Sequence, residues 1–197
     1  SGQSLLDEYV IFSSLRHNLI PKAIGYMEDD QYGFLIREYV PGASLFDEVE
    51  RRGPFSEGRA IETIISVCEG IGYLHRQRPP VIHRDIKPQN IILTPDGECK
   101  LIDMGTSRRY KEAGGQDTVF MGTQITAAPE QFGYRQTDQR SDIYGIGILM
   151  LYLLTGSFQR EDSRVVNISK PLRRIIARCL EFDPDRRYKD ADMLKAR

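Results

Sequence analysis

The stretch from His83 to Asn90, which reads HRDIKPQN, constrains this chain more than any other part of its sequence. It lies between two short apolar segments that predict buried strands. Within six residues it holds a carboxylate on Asp85, an ammonium on Lys87 and a carboxamide on Asn90. A loop between strands does not need so much polar chemistry for packing, so these three side chains are candidates for a functional site.

A second carboxylate follows at a spacing that should place it close to this loop in the folded chain. The turn residues Thr94–Gly97 separate the segments Ile91–Leu93 and Lys100–Ile102, and this pattern predicts a hairpin. Asp103 comes directly after the second strand. We therefore expect the hairpin to bring Asp103 to the edge at which Asn90 lies.

These residues resemble the catalytic core of the protein kinase family, whose members carry an H-R-D-x-x-x-x-N loop followed by D-F-G and A-P-E motifs. The last two read Asp103-Met104-Gly105 and Ala128-Pro129-Glu130 in this chain. Asp142 matches the aspartate that anchors the backbone of the catalytic loop, and Arg187 matches the arginine that pairs with the A-P-E glutamate. Each motif alone is weak, and their shared order and spacing carry the resemblance.

Small-molecule phosphotransferases with a kinase-like fold also carry the H-x-D-x-x-x-x-N loop. They generally lack the A-P-E motif with its arginine partner, and they lack the G-T of the activation segment, which this chain has at Gly122-Thr123. Lys87-Pro88 resembles the serine/threonine subclass rather than the tyrosine subclass. The resemblance thus implies a protein serine/threonine kinase that transfers the γ-phosphoryl group of ATP to protein hydroxyls.

The resemblance also implies a role for each site residue. Asp85 would accept the proton of the substrate hydroxyl, Lys87 would stabilise charge on the γ-phosphoryl group, and Asn90 and Asp103 would hold Mg²⁺. Glu38 and Val40 would contact adenine through their backbone groups. Ile92 would form an apolar floor beneath adenine, and the hydroxyl of Ser44 would reach the ribose.

Regulatory roles are implied for residues on either side of the loop. Arg84 would pair with a phosphorylated threonine of the activation segment, which spans residues 103–130. Thr118 and Thr123 are the candidates, although Thr123 better matches the threonine that serves the catalytic loop directly. Glu8 resembles the helix glutamate that pairs with the phosphate-binding lysine of the third strand in kinases.

Two features depart from the family's pattern. No G-x-G-x-x-G loop and no V-A-I-K lysine occur, and the chain starts without methionine, so we expect a truncated piece of an active kinase. A pseudokinase that keeps the fold as a binding module is the alternative. Arg37 falls where kinases usually carry an apolar residue behind adenine. A buried charge is costly unless paired, so we expect Arg37 to pair with Glu8 or Asp103, or the register to be shifted by one residue.

The resemblance implies an α+β, protein-kinase-like fold, with a partial N-lobe over residues 1–40 and a mostly helical C-lobe over residues 41–197. The N-lobe part is expected to hold one helix, capped by Ser4, and two strands. The apolar segment after Ser141-Asp142 predicts a helix that is buried on every side. The predicted helices cover 5–15, 44–52, a long segment from 56, 141–154 and a segment from 169, and the two strands cover 20–26 and 33–40.

Composition excludes several classes of protein. The net charge of −1 gives no sign of a nucleic-acid partner. Three scattered cysteines without a C-x-x-C pair predict buried thiols in a reducing, cytoplasmic compartment. The N-terminus lacks the pattern of a signal peptide, and the longest apolar run, Ile146–Leu154, is too short to span a bilayer.

Overall fold

The computed structural model describes residues 2–29, 32–103, 108–109, 126–133, 135–159 and 168–197. These ranges contain six α-helices and seven short strands, which confirms the predicted α+β class. The helices are α1 (Gly2–Ser14), α2 (Leu45–Arg52), α3 (Glu57–His75), α4 (Gln139–Thr155), α5 (Lys170–Cys179) and α6 (Ala191–Lys195). The strands are β1 (Ala23–Glu28), β2 (Gly33–Arg37), β3 (Ala43–Ser44), β4 (Val81–Ile82), β5 (Ile91–Leu93), β6 (Cys99–Leu101) and β7 (Arg108–Arg109).

The first part of the chain is a helix packed on a two-stranded antiparallel hairpin. Strands β1 and β2 pair with Tyr26 opposite Leu35, and the Tyr9 ring on α1 stacks on Tyr26. Strand β1 begins at Ala23 rather than at Ile20, because Pro21 has no backbone N–H to donate to a ladder. The expected cap at Ser4 is wrong, since α1 already begins at Gly2.

A three-stranded antiparallel sheet, in the order β3-β5-β6, carries the predicted hairpin. Ile92 lies opposite Lys100 on one side and Ser44 on the other. The turn between β5 and β6 ends at Gly97, whose φ of 82° is the left-handed conformation that glycine adopts without strain. Strands β4 and β7 form a separate two-stranded pair.

Helix α4 lies at the centre of the helical part and is buried on nearly every side, as predicted from its apolar sequence. It packs against α3, α5 and α6, and Gly147 allows its close approach to α5. The helix ends at Gly156, where φ is 69°. It begins at Gln139, two residues before the predicted start: Asp138 is the N-cap, and Asp142 lies inside the first turn.

The three thiols of Cys68, Cys99 and Cys179 are buried and unpaired, as expected from their spacing. Helices α3 and α5 place two of them in the interior, and β6 places the third. Of the helices that the structure describes, none combines the length and the apolar character needed to cross a membrane.

Candidate active site

The catalytic-loop carboxylate is held by the two polar side chains that the sequence places beside it. Lys87 Nζ lies 2.6 Å from Asp85 Oδ2, and Asn90 Nδ2 donates to the same oxygen over 2.9 Å. Asn90 Nδ2 also donates to the backbone carbonyl of Asp85 over 3.0 Å. Asp85 and Asn90 are buried, whereas Lys87 is partly exposed at the edge of the loop. The structure thus brings the predicted carboxylate, ammonium and carboxamide together.

Local structure explains why this loop holds its shape. Pro88 opens a single 3-10 turn, Pro88–Asn90, in which its missing N–H costs no hydrogen bond. Strand β5 starts at the next residue, and the Asn90 carbonyl accepts the N–H of Ile102 over 2.9 Å. Asp103 follows Ile102 directly, so the hairpin brings Asp103 to the same end as Asn90, as its spacing predicted.

Asp142 fastens the catalytic loop to α4. Its Oδ2 accepts the backbone N–H of His83 over 2.9 Å, and its Oδ1 accepts that of Arg84 over 2.8 Å. His75 Nε2, at the end of α3, lies 2.9 Å from Oδ2. The anchoring contact expected for Asp142 is therefore present, and it includes a histidine that the sequence did not point to.

Arg84 adopts a left-handed backbone with φ of 70°, a conformation that costs roughly 1–3 kcal/mol in a residue other than glycine. Its neighbours hold it there: Asp142 accepts its N–H, and Gln131 Nε2 donates to its carbonyl over 2.9 Å. The guanidinium Nε donates to the Thr137 hydroxyl over 2.8 Å. The predicted phosphothreonine partners Thr118 and Thr123, together with Met104-Gly105, lie outside the described residues.

Glu130 and Arg187 form a buried, bidentate ion pair. Arg187 Nη1 and Nη2 donate to the two carboxylate oxygens over 2.7 and 2.9 Å. The same guanidinium donates to the backbone carbonyls of Arg140, Glu181 and Phe182, so each of its five N–H groups has an acceptor. Both side chains are 4 % exposed or less. The structure contains the pairing that the sequence predicted between these two residues.

The expected nucleotide contacts lie on the connection that follows β2 and on the paired strands β3 and β5. Glu38 N–H donates to the Lys22 carbonyl over 2.9 Å, and its carboxylate accepts the Lys22 N–H over 3.1 Å. Val40 is partly buried two residues later, and Ile92 lies on β5. Ser44 caps α2 and donates its hydroxyl to Asp47 over 2.7 Å, so a ribose would compete with that carboxylate.

Arg37 differs from the sequence-based expectation. It ends β2 with an exposed side chain, so the cost of burying its charge does not arise. The reasoning that required Arg37 to pair with Glu8 or Asp103 is therefore wrong for this structure. Glu8 lies on α1, as predicted, and is partly buried.

Burial sets the protonation of the groups around the loop. Burial lowers the pKa of His83, although the nearby carboxylates of Asp142, Asp85 and Asp103 act in the opposite direction. Burial also opposes ionisation of Asp142, but the hydrogen bond from His75 and that from the Arg84 N–H hold the pKa of Asp142 below its usual value. A neutral His83 and an ionised Asp142 are therefore the expected forms at pH 7.

The donor set at the end of the hairpin fits a magnesium ion bound together with phosphates. The Asn90 amide donates through Nδ2, which leaves its carbonyl oxygen to accept, and Asp103 adds a carboxylate. Mg²⁺ prefers oxygen ligands and is usually bound through one or two carboxylates plus phosphates and water. Within the described ranges there is no cluster of three or more His, Cys, Asp or Glu suited to a metal. The two residues thus suit a shared metal rather than an all-protein cage.

Three polar residues of the site were not identified from the sequence. His75, Gln131 and Thr137 are all buried: Gln131 and Thr137 contact Arg84 of the catalytic loop, and His75 contacts the Asp142 carboxylate that anchors the loop. The sequence does hold a signal for His75: it follows the apolar face of α3 directly, and a buried histidine needs a polar partner. Nothing comparable marked the other two.

Comparison with known proteins gives one family. The model of the protein kinase domain matches residues 1–197. A probable serine/threonine-protein kinase of Dictyostelium discoideum is 38 % identical over 80 % of this chain and 31 % of its own length. Serine/threonine-protein kinase B of Synechocystis is 32 % identical over 90 % of this chain and 34 % of its own length. Serine/threonine-protein kinase PknB of Mycolicibacterium smegmatis is 31 % identical over 83 % of this chain and 29 % of its own length. The chain thus spans about a third of the length of these relatives.

Proposed function

The chain belongs to the protein kinase family, and we propose that it carries the catalytic centre of an ATP-dependent protein serine/threonine kinase. The observation that carries the proposal is the arrangement around Asp85, whose Oδ2 receives both the Lys87 ammonium and the Asn90 amide. The names of the relatives, all serine/threonine-protein kinases, support the same specificity. A cytoplasmic location is part of the proposal, because buried unpaired thiols suit a reducing compartment.

Asp85 is assigned to the substrate hydroxyl. Its carboxylate is oriented by two donors on one oxygen, so it is positioned to accept the hydroxyl proton as the oxygen attacks phosphorus. Phosphoryl transfer depends on positioning and charge stabilisation more than on covalent chemistry by the protein. A carboxylate with a fixed orientation therefore meets the main requirement placed on this residue.

Bound Mg-ATP supplies the transferable γ-phosphoryl group. Asn90 and Asp103 would hold the metal, and Lys87 would exchange its contact with Asp85 for one with a phosphoryl oxygen. Ile92 would lie beneath adenine, and the backbone of Glu38 and Val40 would face its edge. Domain boundaries at residues 1–40 and 41–197 remain part of this proposal.

The test is phosphorylation of a degenerate serine/threonine peptide library by the complete protein with radiolabelled ATP. Asp85→Asn removes the base but keeps the size of the side chain, and we expect activity to fall about 10²–10⁴-fold. Asp96→Asn, in the exposed turn between β5 and β6, is the matched control and should leave activity unchanged.

Two results would contradict the proposal. Full activity of Asp85→Asn would show that the base is assigned wrongly. A wild-type protein that folds and binds Mg-ATP but phosphorylates no peptide of the library would favour the pseudokinase alternative. Circular dichroism melting of both variants would show that a loss of activity does not come from unfolding.

A further inference from the structure

A cavity of about 760 Å³ lies on the helical part of the molecule, apart from the catalytic loop. Its described lining comes from three segments: Arg78–Pro80 after α3, Asp138–Arg140 at the start of α4, and Lys189 before α6. None of the residues 83–90 lines it. Its volume is within the range of about 300–1,000 Å³ that is usual for sites that take small ligands. The cavity therefore has the size of a binding site that the proposed kinase chemistry does not use.

The charges at the cavity leave an excess of two cations. Arg140 binds Asp138 through Nε and Nη2 and also pairs with Asp185. Asp185 pairs with Arg135 as well, so these two cations and two anions balance. In the described part of the chain, Arg78 and Lys189 have no ion-pair partner, and both are exposed. Their positive charge is therefore available to a ligand.

Two prolines add apolar surface to the lining of the cavity. Pro79 and Pro80 both line it, and neither has a backbone N–H to offer. Apolar rings next to unpaired cations suit an extended peptide, whose own apolar atoms pack on the rings while its acidic side chains meet the charges. A nucleic acid fits less well, because its affinity comes from many phosphate contacts and the net charge of the chain is −1.

We propose that this cavity docks an acidic peptide segment of a partner protein through Arg78 and Lys189. The site is separate from Asp85 and takes a different chemical class of ligand from the nucleotide. The contribution of each cation is modest, since exposed ion pairs are weak individually. Docking here is therefore expected to be low in affinity and sensitive to salt.

The experiment measures binding of fluorescein-labelled hexaglutamate to the complete protein by fluorescence anisotropy at low salt. The variant Arg78→Gln/Lys189→Gln removes both unpaired cations, and we expect its dissociation constant to rise about fivefold or more. Lys170→Gln/Arg174→Gln is the matched control: it removes two cations of α5 that are also exposed, outside the cavity lining, and should bind like the wild type.

Three outcomes would overturn the proposal. Hexaglutamate that does not bind the wild type excludes an acidic-peptide site. An equal loss in both double variants shows that only the overall charge matters. Binding of labelled single-stranded oligothymidylate as tight as that of hexaglutamate, with the same loss in Arg78→Gln/Lys189→Gln, shows a nucleic-acid site instead. Catalytic residues are unchanged in every variant, so the outcome is independent of whether phosphorylation is detected.

Discussion

His75 Nε2 lies 2.9 Å from Asp142 Oδ2 in the interior of the molecule, where both side chains are nearly inaccessible to solvent. His75 is the last residue of α3, and Asp142 lies in the first turn of α4. The same carboxylate holds the backbone of His83 and Arg84. The residue that joins the end of α3 to the start of α4 therefore also holds the first residues of the catalytic loop in place.

Replacing His75 should reveal this connection. His75→Phe leaves Asp142 Oδ2 without its side-chain donor, and we expect a loss of about 1–3 kcal/mol in unfolding free energy, together with reduced peptide phosphorylation. His75→Gln keeps an N–H donor and should lose less on both measures. Urea denaturation and the peptide assay would check this, and equal losses in the two variants would show that only packing matters at this position.

The buried Glu130–Arg187 pair should couple strongly in a double-mutant cycle. Glu130→Gln or Arg187→Met alone leaves an uncompensated buried partner, which costs about 3–5 kcal/mol. The double variant should cost clearly less than the sum, with a coupling of at least about 1 kcal/mol. The Arg76–Asp192 pair, whose side chains are both about half exposed, is the control and should couple by less than about 1 kcal/mol. Coupling energies of similar size in the two cycles would show that burial does not strengthen the coupling of the Glu130–Arg187 pair.

Gly147 should be the more sensitive of two helical glycines. A Cβ at Gly147 would lie 2.6 Å from the Cβ of Cys179 and 2.9 Å from Leu180 Cδ2, so Gly147→Ala should force α4 and α5 apart and cost about 1–3 kcal/mol. Gly58→Ala on α3 meets nothing within 4 Å and should be neutral or stabilising by up to about 1 kcal/mol. Thermal melting of the two variants would check this, and equal melting temperatures would show that the helices adjust freely.

The thiols should be unreactive in the folded protein at mildly alkaline pH. Burial raises the pKa of Cys68 to about 12 and that of Cys99 to about 11, and it raises the pKa of Cys179 as well. Because thiolate is the reactive form, these thiols hold far less thiolate at pH 9 than an ordinary cysteine, so iodoacetamide should label the native protein much more slowly than the urea-unfolded protein at that pH. Mass spectrometry should find three labels only after unfolding in urea. Equal rates of labelling for the native and the unfolded protein at pH 9 would contradict this.

Local signals were sufficient for much of this fold. Ser44 and Ser56 cap α2 and α3 at the residues where their sequences indicate a start, and Gly156 ends α4 as expected. The start of α4 was placed too late because Gln139 and Arg140 continue the polar pattern of the preceding loop. The N-cap at Asp138 is therefore hard to distinguish from loop by periodicity alone.

The site was predictable where its residues follow a fixed order and unpredictable where distant segments meet. Asp85, Asn90 and Asp103 are joined by one short hairpin, so their proximity follows from local sequence. The contact of Gln131 with the Arg84 carbonyl joins residues far apart in the chain, and nothing in the local pattern of either residue indicates it. Exposure of Arg37 likewise depends on what surrounds β2 rather than on its own sequence.

The burial of α4 on nearly every side has a consequence for how the molecule fluctuates. Its amides are shielded by α3, α5 and α6 and have no exposed face through which they could open alone. Amide hydrogens in such a helix exchange with solvent mainly when the whole cooperative unit unfolds. The first turn of α4 holds the catalytic loop through Asp142, so the order of that loop should persist for as long as the surrounding helices remain folded.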